Sequence, residues 1–155
     1  MSNVEVGRPA PDFDLVNQHG ERVSLTSLRG KNIVLIFYPF AFSGTCTGEL
    51  SVIRERLSTF DNDETATLAV SCDAVFSLRA FANAEGYTFG LLSDFWPHGQ
   101  TAKDYGVFVE KRGAAKRGTF IIDREGILRW SVIHEISEAR DADEYEQALK
   151  GLDSA

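Results

Sequence analysis

The stretch that most constrains this chain is Asn32-Ile33-Val34-Leu35-Ile36-Phe37-Tyr38, stopped by Pro39 and followed by Phe40-Ala41-Phe42-Ser43-Gly44-Thr45-Cys46. A short run this apolar, rich in β-branched and aromatic residues, reads as a strand buried on both faces. Pro39 has no N–H for a sheet ladder, so the strand ends there. Downstream, Cys46, Leu50, Ile53, Leu57 and Phe60 recur at helical spacing and define one inward face of a helix predicted from about Gly44 to Phe60. Cys46 thus falls in the first turn of a helix that leaves a buried strand, with its side chain pointing inward.

That position favours a reactive sulfur. A free cysteine is only a few per cent thiolate near neutral pH, and the unpaired N–H groups of a helix start favour the anion. A helix end supplies only about 1 kcal/mol, so a cation is needed as well. The candidate is Arg117, in Lys116-Arg117-Gly118-Thr119-Phe120-Ile121-Ile122-Asp123, because it stands at the mouth of a second apolar strand that leads into the core. Most other arginines in the chain read as solvated surface charges.

Elsewhere strands and helices alternate, the pattern of an α/β domain. Phe13 to Val16 and Arg22 to Ser24 flank the turn Asn17-Gln18-His19-Gly20 and predict an N-terminal hairpin. A strand is expected near Thr67 to Cys72, then a helix from about Ala74 to Ala84 capped by Asp73. Gly90 to Leu92 predicts a short strand and Gln100 to Tyr105 a short helix, while Thr119 to Ile122 and Ile127 to Ile133 form a hairpin. Asp141, Asp143, Glu144 and Glu146 read as the solvated face of a closing helix, with Tyr145, Ala148, Leu149 and Leu152 beneath. Nothing repeats and no linker divides the chain, so residues 1–155 are expected to form a single domain of common size.

Charge and composition exclude several classes. The net charge is -7 and the 16 basic residues are scattered, which disfavours a nucleic-acid partner. No apolar run suits a membrane helix, and no basic-then-apolar start suggests secretion. Two cysteines without structural spacing fit a reducing compartment, so the cytoplasm is the expected location. A thioredoxin would need Cys-x-x-Cys, and no second cysteine stands near Cys46. A cysteine protease or acyltransferase would need a histidine base, and His19, His98 and His134 lie far from Cys46 in sequence. Two separated cysteines and scattered histidines argue against zinc, and no cofactor or metal is expected. Phe40, Phe42, Phe95 and Trp96 fall in turns, where a small domain cannot easily bury them, so a two-fold contact beside Cys46 would cover them.

Pro39, Ser43 and Cys46 together resemble the peroxiredoxin signature Pro-x-x-x-Thr-x-x-Cys. The resemblance spans nearly the whole chain, through Gly7-Arg8-Pro9-Ala10-Pro11-Asp12-Phe13, Ala69-Val70-Ser71-Cys72-Asp73 and Arg117-Gly118-Thr119-Phe120-Ile121-Ile122-Asp123. Phe40-Ala41-Phe42-Ser43-Gly44, the segment Leu91 to Gly99 and Tyr105-Gly106-Val107-Phe108 look most like the AhpE group of one-cysteine peroxiredoxins, an actinobacterial type. What this implies is a thioredoxin-like fold, a central mixed sheet flanked by helices, with an N-terminal β-hairpin extension. The implied activity is thiol-dependent reduction of hydrogen peroxide, organic hydroperoxides or peroxynitrite.

By the same resemblance, Cys46 is the peroxidatic nucleophile that becomes a sulfenic acid. Ser43 uses its hydroxyl to orient peroxide and sulfur, Arg117 stabilises the thiolate and holds the peroxide oxygens, and Pro39 walls off water. The N–H groups of Thr45 and Cys46 are expected to face the incoming oxygen. Ser43 departs from the usual threonine and lacks the methyl that fixes the first side-chain torsion; it also suits a helix N-cap. Glu49, one turn beyond Cys46, would disfavour the thiolate unless it pairs with Arg117 and orients it. The two-cysteine relatives place a resolving cysteine five residues downstream, here Ser51, or near the C-terminus, and no cysteine follows Cys72. Cys72 closes an apolar run and reads as a small buried hydrophobe. An external thiol is then implied as reductant, either mycothiol or a mycoredoxin or thioredoxin-type protein, and a homodimer is implied as well. A peroxide sensor or chaperone-like protein that reports Cys46 oxidation to a partner uses the same thiolate and stays open.

Overall fold

A computed structural model describes residues 4–136, 138 and 140–153. Its framework is a seven-stranded sheet in the order β2-β1-β5-β4-β3-β8-β9, with a separate two-stranded ribbon of β6 and β7. In chain order the strands are β1 (Asp14–Asn17), β2 (Arg22–Ser24), β3 (Asn32–Phe37), β4 (Thr65–Ser71), β5 (Gly90–Ser93), β6 (Phe108–Val109), β7 (Ala114–Ala115), β8 (Arg117–Ile122) and β9 (Leu128–His134). The helices are α1 (Gly44–Glu55), α2 (Leu57–Phe60), α3 (Val75–Glu85), α4 (Gln100–Asp104) and α5 (Ala142–Asp153).

The apolar run at β3 sits in the interior of this sheet. It pairs in parallel with β4, Val34 opposite Thr67, and antiparallel with β8, Leu35 opposite Phe120. Period-2 geometry then sends alternate side chains into two cores. Val34, Ile36 and Tyr38 pack with Cys46, Leu50, Ile53, Phe81 and Tyr145 on one face. Ile33, Leu35 and Phe37 pack with Phe13, Leu92, Tyr105 and Phe120 on the other. The mixed, helix-flanked sheet and the N-terminal hairpin, Leu15 opposite Val23, match the thioredoxin-like architecture that the resemblance implies.

Four details differ from expectation. The helix predicted over Gly44 to Phe60 breaks at Arg56, whose φ of -112° and ψ of 29° leave the helical region while its N–H bonds the Val52 and Ile53 carbonyls. Cys46, Leu50, Ile53 and Phe60 are buried across the break, with Leu57 half-buried against the same core. Asp73 does not cap α3; Ala74 holds that position without a side-chain bond. The Asp73 carboxylate is drawn instead to the Ala41 N–H and the Ser71 hydroxyl. Finally, the ribbon of β6 and β7 is too short to leave a periodic signal, and β8 begins at Arg117, two residues earlier than its apolar run suggests.

Candidate active site

Three elements meet around Cys46: the start of α1, the first residue of β8 and the segment entering α5. Ser43 is the N-cap of α1 with an extended backbone, φ -69° and ψ 148°, and its Oγ accepts the Cys46 N–H at 3.4 Å. The capping role read from the sequence is therefore present. The Cys46 N–H, expected to face an incoming oxygen, is directed to that hydroxyl. The sulfur lies in the first turn and is fully buried, because position 46 is on the α1 face that packs on β3. Pro39 is buried at the end of β3. Tyr38, just before it, is buried, and desolvation keeps its hydroxyl neutral by pushing its ionisation well above the usual phenol range.

Arg117 reaches the sulfur from the sheet. Its Nη1 donates to Cys46 Sγ at 3.3 Å and to Glu49 Oε1 at 2.5 Å, while Nε donates to the Ile136 carbonyl at 2.7 Å. This arginine is buried, so its orientation is set by three fixed acceptors rather than by solvent. Glu49 lies one helical turn beyond Cys46, which places its carboxylate against the same guanidinium. The pairing expected between Glu49 and Arg117 is present.

A second arginine completes the cluster. Arg140 donates to Glu49 Oε2 from its backbone N–H at 2.7 Å and from Nε at 2.9 Å, and to Oε1 from Nη2 at 2.9 Å. Its Nη1 donates to the Gly118 carbonyl and to Thr119 Oγ1, both at 3.1 Å, and Thr119 in turn donates to the Tyr145 hydroxyl at 3.0 Å. The Arg140 side chain is 1% exposed. Burial pushes the Glu49 carboxyl up, but the Arg140 hydrogen bonds and charge, joined by the charge of Arg117, outweigh it and hold Glu49 below the usual carboxylate range. Two guanidinium groups and one carboxylate leave one net positive charge, and Arg117 Nη1 presents it to the sulfur. In a buried site such a charge suits an anionic nucleophile and a developing oxyanion. Nothing local marks Arg140 in the sequence, since it stands 91 residues from Glu49.

The remaining sequence candidates lie elsewhere. Cys72 is buried beyond the end of β4, unpaired like Cys46, and burial together with Asp94 and Asp73 pushes its thiol up to about 12. His98 is held by the Phe95 and Gly113 carbonyls. Phe40, Phe42, Phe95 and Trp96 are exposed, as is Phe76 on α3.

Residues 6–131 match the AhpC/TSA family model. This chain is a peroxiredoxin of the AhpC/TSA family. It is 45% identical over 150 residues to alkyl hydroperoxide reductase E of Mycobacterium tuberculosis, covering 96% of this chain and 98% of that protein. It is 36% identical to the mitochondrial thioredoxin-dependent peroxide reductase of Drosophila melanogaster, covering 98% of this chain and 68% of that one. Among solved structures, AhpC of Enterococcus faecalis superposes with a TM-score of 0.89 at 28% identity, over 99% of this chain and 94% of that one. The peroxiredoxin's sheet and helices therefore follow the family architecture, and its activity class is that of a thiol-dependent peroxidase.

Proposed function

We propose that the peroxiredoxin reduces peroxides through Cys46 in a one-cysteine cycle, with residues 1–155 acting as a single catalytic domain. The observation that carries this is the 3.3 Å hydrogen bond from Arg117 to Cys46 Sγ, inside a cluster with excess positive charge. The thiolate attacks one peroxide oxygen in line, the S–O bond forms as the O–O bond breaks, and the leaving oxygen takes a proton as water or an alcohol. Arg117 steadies the charge on sulfur and on the leaving oxygen, while Ser43 Oγ orients the peroxide at the helix start. Pro39 limits water on the strand side. Glu49 is a positioning residue that fixes Arg117, and Arg140 fixes Glu49.

An external thiol then attacks the sulfenic sulfur, releasing water and forming a mixed disulfide that a second thiol resolves. Support comes from Cys72, which burial and two carboxylates keep protonated and hence a poor resolving nucleophile. A low-molecular-weight thiol such as mycothiol, or a mycoredoxin or thioredoxin-type protein, fits that second half. Hydrogen peroxide and organic hydroperoxides are the substrates, with peroxynitrite as a further oxidant. Exposed Phe40, Phe42, Phe95 and Trp96 support a homodimer packed beside the site. Two free cysteines support a cytoplasmic location, and among the described residues no helix is long and apolar enough to cross a membrane.

Stopped-flow mixing of the reduced protein with each peroxide, following thiol loss, tests this reading. Reaction well above that of free cysteine is expected, followed by turnover with added thiols. A reaction no faster than that of free cysteine would overturn it, and a Cys46–Cys72 disulfide after one equivalent of peroxide would overturn the one-cysteine cycle.

A further inference from the structure

The loop from Pro39 to Ser43 leads into the helix turn that carries Cys46, yet it has little internal structure. Its own backbone bond, from the Ser43 N–H to the Phe40 carbonyl, is long at 3.4 Å. Phe42 has a φ of 70°, the one non-glycine residue with positive φ among the described residues. Such a backbone costs on the order of 1 kcal/mol and persists only where its surroundings hold it. The Phe42 ring leans on Phe81 at 5.0 Å between centroids but remains exposed.

Among the described residues one polar contact holds the middle of this loop, Phe40–Phe42, from outside. Asp73 Oδ2 accepts the Ala41 N–H at 2.8 Å, and the same oxygen accepts the Ser71 hydroxyl at 2.7 Å. Among the described residues this is the hydrogen bond that ties Phe40–Phe42 to another part of the chain. Asp73 is itself anchored, because its carbonyl accepts the Ser93 hydroxyl at 2.6 Å and the Asp94 N–H bonds the Ser71 carbonyl at 2.8 Å. The ends of two neighbouring parallel strands, β4 and β5, thus form a rigid post, and a charged acceptor on that post fixes the loop's midpoint.

We infer that Asp73 is a positioning residue for peroxide reduction: its carboxylate latches Ala41, and so holds Pro39 and Ser43 in register with Cys46. This rests on the reading of Cys46 as nucleophile. Among the described residues no hydrogen bond joins Asp73 to Cys46, so its carboxylate acts through the loop. Releasing the loop leaves the Arg117–Cys46 contact in place but loosens Ser43 and the pocket wall. The sulfur then becomes easier to reach and less well aligned, and small misplacements near a reacting pair cost up to about a hundredfold in rate.

Two reactions of the same sulfur separate alignment from general damage. In Asp73→Ala, the stopped-flow rate constant with hydrogen peroxide is expected to fall about tenfold to a hundredfold, while alkylation of Cys46 by iodoacetamide speeds up. Asp73→Asn retains a carbonyl-type acceptor for Ala41 and is expected to recover most of the peroxide rate. Ser71→Ala, which frees the carboxylate without removing it, is expected to move both rates in the same directions by a smaller factor, and it decides the matter if Asp73→Ala does not fold. Unchanged peroxide and alkylation rates in the folded variants overturn the latch, as does a parallel fall in both. Peroxide reactivity that survives in Cys46→Ser overturns the nucleophile assignment instead, and this inference with it.

Discussion

Cys46 and Cys72 share nearly the same burial, at 0% and 7% exposed, but their electrical surroundings are opposite. Cys46 sits at a helix start against Arg117, and the charges of Arg117 and Arg140 together exceed that of Glu49, the one carboxylate they share. Cys72 follows a strand end and faces the carboxylates of Asp73 and Asp94. Burial alone makes a cysteine a small hydrophobe. What distinguishes a nucleophile is the sign of the fixed charge around it, and in this fold that sign is set by which strand end lies nearby.

The contrast can be broken most completely at Cys46 itself. Cys46→Ser should abolish peroxide consumption measured by stopped flow, with the fold intact by circular dichroism. Arg117→Met keeps the side chain's bulk and removes the charge; its rate constant with hydrogen peroxide should fall by about a hundredfold or more, the magnitude typical of a lost oxyanion donor. Glu49→Gln should cost about tenfold in the same rate, because Arg117 loses the anion that aims it.

Glu49→Gln also carries a pH signature. The folded carboxyl ionises below its unfolded value, so the ion pairs contribute stability in full above the unfolded value of about 4.3, and that contribution vanishes as pH falls through the folded value. The gap in melting temperature between wild type and Glu49→Gln should therefore be widest near neutrality and close in acid. A gap that stays constant with pH would remove the electrostatic account of this pair. The smallest effect is expected at the other cysteine. Cys72→Ala should leave peroxide turnover with an external thiol within about twofold, and native protein at pH 8 should be alkylated at Cys46 far faster than at Cys72.

Much of the site was legible because it is local. The run from Asn32 to Tyr38 announces a doubly buried strand, Pro39 ends it, and the spacing of Cys46, Leu50 and Ile53 points the sulfur inward. Ser43 as cap and Glu49 one turn on follow from helix geometry. Arg117 was legible from its place at a strand mouth and from the family pattern. Other features left no local trace. Arg140 precedes α5 in a charged segment that reads as solvated, yet its side chain is buried against Glu49. Asp73 looked like a cap for α3 and serves the loop before α1 instead. The break at Arg56 keeps the same inward face on both sides, so periodicity does not reveal it.

The sequence by itself determined the strand, the helix start and the sulfur's inward direction, since each depends on periodicities of two and 3.6 residues and on proline's missing N–H. Only the tertiary structure decided the electrostatics: that Arg117 and Arg140 share Glu49, that the excess charge meets Cys46, and that Asp94 joins Asp73 in acting on Cys72. Those contacts join residues up to 91 positions apart, and a long charged side chain is committed only when packed strands deny it water and offer one fixed partner.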